Sequence, residues 1–132
     1  AASIGFFGDD LKPAEITRLL GDAPTFGVAK GASWITKSGV EKIAQTGSWR
    51  LVSERRKPGA LDDPTEEMLS RLTDAGGAWR PLARRFRGRV FCGLFLASAN
   101  EGLTLRPETM MKIGARGLVL DLDLYGQDLS EA

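Results

Sequence analysis

Residues 88–125 constrain the fold more than any other part of the sequence. They begin with the longest apolar run, residues 89–97 (RVFCGLFLA), and end with the clearest alternation, residues 118–125 (LVLDLDLY). Between them, Pro107 follows Arg106 at a position typical of the first residue of a helix. The pattern predicts a strand, a helix and a second strand. The first strand is apolar on both faces, which is typical of a central or doubly covered strand. In the second, Leu118 and the alternate leucines after it are expected to face the core.

The rest of the chain predicts a single α+β domain over residues 1–132, because this length suits one domain. Strands are predicted at residues 3–8 and 47–53, and helices are predicted from Pro13 and from Asp63. Asp63 has the chemistry of an N-cap, and Gly76-Gly77 is expected to end that helix before a second one at residues 78–86. Residues 22–46 give no clear pattern. The expected fold is an antiparallel or mixed sheet of about five strands with three or four helices packed on it.

A weak internal repeat suggests two β-α-β-like halves. Residues 11–16 (LKPAEI) and 105–110 (LRPETM) share a leucine, a basic residue, a proline and a later apolar residue. Each segment also follows an apolar strand. A proline at a helix start is common, however, and a chance match explains the pattern equally well.

The composition restricts the chemistry of the chain. It has no histidine, so catalytic triads and zinc sites that need imidazole are excluded within one chain. One cysteine cannot form an internal disulfide and fits a reducing compartment. No apolar run approaches the ~20 residues of a membrane span, and the first residues lack the pattern of a signal peptide. We therefore expect a cytoplasmic protein with no membrane partner and no cofactor.

The order and spacing of several short segments resemble one bacterial family. They are residues 7–21 (FGDDLKPAEITRLLG), Pro24-Thr25, Lys30-Gly31, Gly47-Ser48-Trp49 and residues 120–125 (LDLDLY). This chain resembles DUF4279 over nearly its whole length. The resemblance implies no established activity and no catalytic positions.

Four carboxylates are candidates for a metal site. Asp121 and Asp123 share one strand face, and Asp9 and Asp10 precede the first helix. Carboxylate oxygens suit Mg²⁺ or Ca²⁺ and would support a metal-dependent enzyme. The same residues are typical of a solvated sheet face, and that interpretation is preferred.

A cluster of five arginines is the second candidate: Arg80, Arg84, Arg85, Arg87 and Arg89. Such a cluster can bind phosphate, nucleic acid or an acidic protein surface. A solvated helix face paired with internal carboxylates is the alternative, which a net charge of +1 favours.

Two further residues have a functional and a structural interpretation. Trp34 lies in a glycine-rich segment and could line a ligand pocket, but a core or half-buried packing anchor is the preferred interpretation. Cys92 could be a nucleophile, but its place inside an apolar strand predicts a buried thiol.

The leading prediction is a non-catalytic protein that binds another macromolecule, such as a toxin-immunity or accessory protein. Another protein is the preferred partner, bound through Arg80, Arg84, Arg85, Arg87 and Trp34. The alternatives are the carboxylate-based metal enzyme and a nucleic-acid binder that uses the arginine cluster.

Overall fold

A computed structural model describes residues 2–54, 61–95 and 103–126. In chain order the elements are β1 (Ala2–Gly8), α1 (Pro13–Leu20), β2 (Phe26–Val28), β3 (Ser33–Ile35), β4 (Glu41–Ile43), β5 (Gly47–Val52), α2 (Asp62–Ser70), α3 (Gly76–Arg85), β6 (Arg87–Phe95), α4 (Pro107–Ala115) and β7 (Val119–Tyr125). Over these ranges the fold is α+β, as predicted, with four helices, a five-stranded mixed sheet and a two-stranded hairpin. None of the helices in the described ranges has both the length and the apolar character to cross a bilayer.

The main sheet has the strand order β2-β5-β1-β6-β7. β1 pairs antiparallel with β5 and β6, β2 pairs antiparallel with β5, and β7 pairs parallel with β6. Strands β2, β5, β1 and β6, with α1 and α3, therefore form a split β-α-β arrangement. Helix α4 and strand β7 add a further parallel crossover beside β6.

The two predicted halves are both β-α-β units by strand direction, but they are not equivalent. β6, α4 and β7 form a direct unit because the two strands are neighbours. β1 and β2 also run the same way, but β5 lies between them. The helices α2 and α3 lie between the halves in sequence, as predicted.

The core lies on one face of this sheet, beneath the helices. Phe6 on β1 contacts Trp49 on β5 and Trp79 on α3, with ring centroids 6.1 and 6.2 Å apart. The Trp49 indole donates to Thr17 Oγ1 at 3.1 Å, and the Trp79 indole donates to the Thr73 carbonyl at 2.7 Å. Each buried indole thus satisfies its polar atom, which makes full burial favourable.

The prediction of a central strand is confirmed by β6, which is paired on both sides. Val90 and Cys92 are buried on its core face, so the expected burial of the thiol is confirmed. β6 ends at Phe95, and the last two residues of the predicted run, 96 and 97, lie outside the described residues.

Two sequence expectations are wrong. Asp63 does not cap α2, because the helix begins at Asp62 after Leu61 and has no side-chain cap. Gly76-Gly77 does not end this helix, which already ends at Ser70; the two glycines begin α3.

The leucines of β7 face the core side of the sheet, as predicted, but three of them are only partly buried. Leu118 is buried, but Leu120, Leu122 and Leu124 are 37, 43 and 56% exposed. Their register with Val90 and Cys92 does place them on the core side of the sheet. β7 lies at the edge, however, and within the described ranges the helices leave these leucines partly uncovered.

Candidate functional site

The junction of α3 and β6 positions most of the arginine cluster. Arg84 and Arg85 lie in the last turn of α3, where a cation complements the helix dipole. Phe86 then adopts an extended conformation and its ring packs against Gly8. A Cβ on Gly8 would lie 2.7 Å from Phe86 Cδ1, so this close packing depends on glycine. The chain thereby passes directly from the helix into β6.

Alternation along β6 places Arg87, Arg89 and Phe91 on the sheet face opposite the core. Phe7 on β1 lies opposite Arg87, and Gly5 lies opposite Arg89. The small residue at Gly5 leaves room for the Phe7 ring, which a Cβ there would approach to 3.1 Å. At β1 and β6, the sheet face opposite the core therefore carries two aromatic rings among arginines.

Arg89 is held between those rings. Its guanidinium carbon lies 5.1 Å from the centroid of Phe7 and 4.8 Å from that of Phe91. The same group donates from Nη1 to Asp121 Oδ2 at 3.1 Å. Arg89 therefore covers the aromatic faces and has a carboxylate partner of its own.

We call the concave surface beside Arg89 the arginine groove. It has a volume of about 570 Å³. The residues that line it include Phe7, Ala83, Phe86, Arg87, Arg89, Val119 and Asp121. An adjoining depression shares Phe7, Ala83, Phe86 and Arg87 with the groove and adds Asp9, Thr46, Arg84 and Arg85. The surface thus combines apolar walls with a concentration of guanidinium groups.

The five arginines differ in their partners. Arg85 pairs with Glu15 at 2.9 Å and joins α3 to α1, and Arg89 pairs with Asp121. Among the described residues, no carboxylate lies within 4.0 Å of the other three: Arg80, Arg84 and Arg87. The structure brings Arg84, Arg85 and Arg87 together, whereas Arg80 lies one turn back on α3, beside Gly76, and does not line the groove.

Asp9 lines the adjoining depression. It accepts hydrogen bonds from Thr46 at 3.0 Å and from Lys30 at 3.3 Å. The hydrogen bond from Thr46, followed by that from Lys30, lowers the pKa of Asp9 below its ordinary value of 3.8. Asp9 is therefore an anion near neutral pH, and the depression carries charges of both signs.

The four candidate metal ligands do not come together. Asp121 lies level with Ser3 across the sheet, whereas Asp9 and Asp10 follow Gly8 at the far end of β1, roughly 17 Å away at the usual rise per residue. Asp121 is paired with Arg89, and Asp123 accepts from the Tyr125 hydroxyl at 2.6 Å. Within the described ranges, no group of three or more acidic or cysteine side chains could hold a metal ion.

Trp34 lies apart from the arginines. It is half-buried on the β3–β4 hairpin, and its ring packs on Phe26 of β2 with centroids 5.0 Å apart. β2 forms the edge of the sheet opposite β7. A surface that combined Trp34 with Arg87 would have to extend over β5 and β1.

Sequence reasoning missed the aromatic part of the site. Phe7 and Phe86 line the groove, but neither belongs to a pattern that indicates a site. The register that places Phe7 opposite Arg87 joins residues 80 positions apart. The only local signal was the alternation of arginine and aromatic residues in β6.

The comparisons with known proteins identify the family. The model of the family described as "Domain of unknown function (DUF4279)" matches residues 1–127. The chain belongs to this family, which confirms the resemblance seen in its sequence. Neither a curated protein nor a solved structure matches the chain.

Proposed function

We propose that this member of the DUF4279 family is a non-catalytic protein that binds an acidic segment of another protein at the arginine groove. The observation that carries the proposal is the pair Arg84 and Arg87. Both line the adjoining depression, and in the described part of the chain neither has a carboxylate within 4.0 Å; Arg87 interacts with Asp9 only at longer range. Arginine favours bidentate contact with carboxylates and is enriched at interface hot spots.

The chemistry of the groove supports binding rather than catalysis. Guanidinium groups remain protonated throughout the physiological range and do not transfer protons there. Asp121 is held by Arg89, and burial raises the pKa of the Cys92 thiol above 9.0. No histidine is present to act as a general base.

A protein partner is favoured over nucleic acid. Sheet-face aromatics bind single-stranded nucleic acid by stacking on bases, but Arg89 covers both Phe7 and Phe91. The carboxylates of Asp9 and Asp121 interrupt the positive surface that a phosphate backbone would follow. A short acidic segment needs only one or two cations.

Such binding would suit either of two roles: a toxin-immunity protein, which neutralises a bound toxin, or an accessory protein. In either case the partner would present carboxylates to Arg84 and Arg87. The identity of the bound protein would distinguish the two roles.

Affinity capture from nuclease-treated lysate of the native host tests the proposal. The variant Arg84→Glu/Arg87→Glu should capture a specific protein at least about tenfold less than the wild type does. A matched control is Arg18→Glu/Lys37→Glu, two exposed cations that do not line the groove. Both doubles change the net charge from +1 to −3, because each substitution removes one positive charge and adds one negative charge.

The control should capture the same protein as the wild type. Equal capture by all three proteins would refute the proposed surface. Capture that disappears after nuclease treatment would identify a nucleic-acid partner instead.

A further inference from the structure

The partners of Arg87 and Arg89 differ although the two residues occupy equivalent places. Both lie on the face of β6 opposite the core, two residues apart. In the parallel register Arg89 lies opposite Val119, and it pairs with Asp121, two residues further along β7. The same diagonal offset, applied to Arg87 two residues earlier on β6, leads to Val119, where β7 begins. The position that would supply a carboxylate to Arg87 is therefore occupied by a valine.

The surroundings of Arg87 are otherwise built for contact with an apolar group. Phe7 lies opposite it with its ring under Arg89, and Phe86 precedes it with a buried ring, so the accessible apolar surface comes from other residues of the groove. Val119 forms another part of the wall and is 59% exposed. An anion that reaches Arg87 must therefore lie against apolar surface.

We propose that Arg87 binds one carboxylate of the partner while the adjacent apolar or aromatic side chain of the same segment fills the groove. The ligand class is an extended protein segment in which an acidic residue neighbours a large apolar one. This inference rests on the proposed function and adds the chemistry that the partner must present. An isolated exposed ion pair contributes little to affinity, so the apolar contact is needed for retention.

Charge explains why a carboxylate fits better than a polyphosphate. Asp121 lines the groove and already neutralises Arg89. A single negative charge on Arg87 balances the remaining cation of the groove, which Asp9 of the adjoining depression offsets only at longer range. Further negative charge would be repelled by the carboxylate of Asp121.

A substitution at Val119 tests the site by placing a carboxylate of the chain itself beside Arg87. Val119→Asp places a carboxylate on the diagonal from Arg87, as Asp121 does for Arg89, and should compete with the ligand. Val119→Asn is the matched control, because it has nearly the same shape without the charge. Both changes lie at an exposed position, so the fold should persist, which thermal melting would verify.

The probe is the end-blocked peptide acetyl-Gly-Phe-Asp-Gly-amide, titrated to millimolar concentration and followed by amide chemical shifts of the full chain. Saturable shifts are expected at Phe7, Arg87 and Val119. Peptides with Asn for Asp or Ser for Phe should bind about fivefold more weakly or worse. Val119→Asp should weaken binding by a similar factor relative to Val119→Asn.

Equal binding of the Asp and Asn peptides, or of the two Val119 variants, would overturn the inference. So would inorganic phosphate or a thymidine oligonucleotide that binds these residues more tightly than the peptide. If the peptide fails but Arg84→Glu/Arg87→Glu still abolishes capture, only the ligand chemistry is wrong. If capture also survives that double substitution, the proposed function fails with it.

Discussion

Arg89 should contribute more to the stability of the fold than an ordinary surface arginine. Its guanidinium lies over two aromatic rings and pairs with a carboxylate 3.1 Å away. Exposed cation–π contacts contribute about 0.5–1 kcal/mol each, and an exposed ion pair contributes about 0.2–1 kcal/mol. The side chains of Arg89 and Asp121 are 38 and 46% exposed, so values in the lower halves of these ranges apply. We expect Arg89→Ala to lower the free energy of unfolding by about 1.5 kcal/mol.

Two further substitutions separate the contributions. Asp121→Asn removes only the ion pair and should cost about 0.5 kcal/mol. Arg89→Lys keeps the charge but loses the planar group that stacks on Phe7 and Phe91, so its cost should lie between those of the other two variants. The double-mutant cycle between positions 89 and 121 should give a coupling of about 0.5 kcal/mol that decreases with added salt.

Urea denaturation followed by tryptophan fluorescence measures these effects, because Trp49 and Trp79 are fully buried. Arg50→Ala is the matched control. Arg50 lies across Gly5 from Arg89 on the same face, yet no ion pair or ring contact involves it in the described part of the chain. Its removal should change stability by less than about 0.5 kcal/mol. If Arg89→Ala costs no more than Arg50→Ala, the stacked guanidinium does not stabilise the sheet.

Four other substitutions or probes follow from individual contacts. A Cβ on Gly47 would lie 2.7 and 2.8 Å from two backbone oxygens, so Gly47→Ala should destabilise by about 1–3 kcal/mol or more in thermal melts. Cys92 should react with a thiol reagent far more slowly in the native protein than in urea, since it is buried and its pKa is raised; equal rates would contradict this. The hydrogen bond from Lys112 lowers the pKa of Glu66 below 4.5. The stabilisation by ionised Glu66 is therefore present above pH 4.5 and is lost as the pH falls through the pKa of Glu66 in the folded protein. Glu66→Gln should weaken this acid dependence of stability, measured by thermal melting between about pH 6 and 3. Asp63→Ala should change the melting point little, because Asp63 caps no helix; a loss of about 1 kcal/mol would restore the capping role.

The sequence predicted those parts of the fold that depend on short-range patterns. Pro13 and Pro107 begin α1 and α4, as expected for a residue that lacks the amide hydrogen at the first helical position. The apolar run that contains Cys92 became the paired strand β6. These features are encoded within a few neighbouring residues.

The errors arose where distant contacts decide the structure. Gly76 and Gly77 have low helix propensity, yet α3 begins with them because burial of Trp79 and Leu82 favours the helix. Alternation in β7 showed which residues share a face, but only the strand order showed that Leu122 lies at an edge. Periodicity shows which face of the sheet a side chain lies on, but it does not show whether other elements bury that side chain.

The candidate site was predictable only in its arginines. Their density was visible in the sequence, and four of the five line the groove or the adjoining depression. The pairing of Arg89 with Asp121 and the contact with Phe7 depend on strand register across the whole sheet. No local pattern encodes such a register.

The position of β1 has a consequence for how the chain folds. Ser3 lies between Val52 and Phe91, so both neighbours of this strand come from much later in the sequence. Closing such long loops carries an entropic cost before any contact offsets it, and domains with similarly distant pairings fold in roughly milliseconds to seconds. During synthesis, β1 must wait until β6 has left the ribosome before its second edge is paired. A nascent chain that ends before β6 would expose that edge, which makes this interval the stage most open to misassembly.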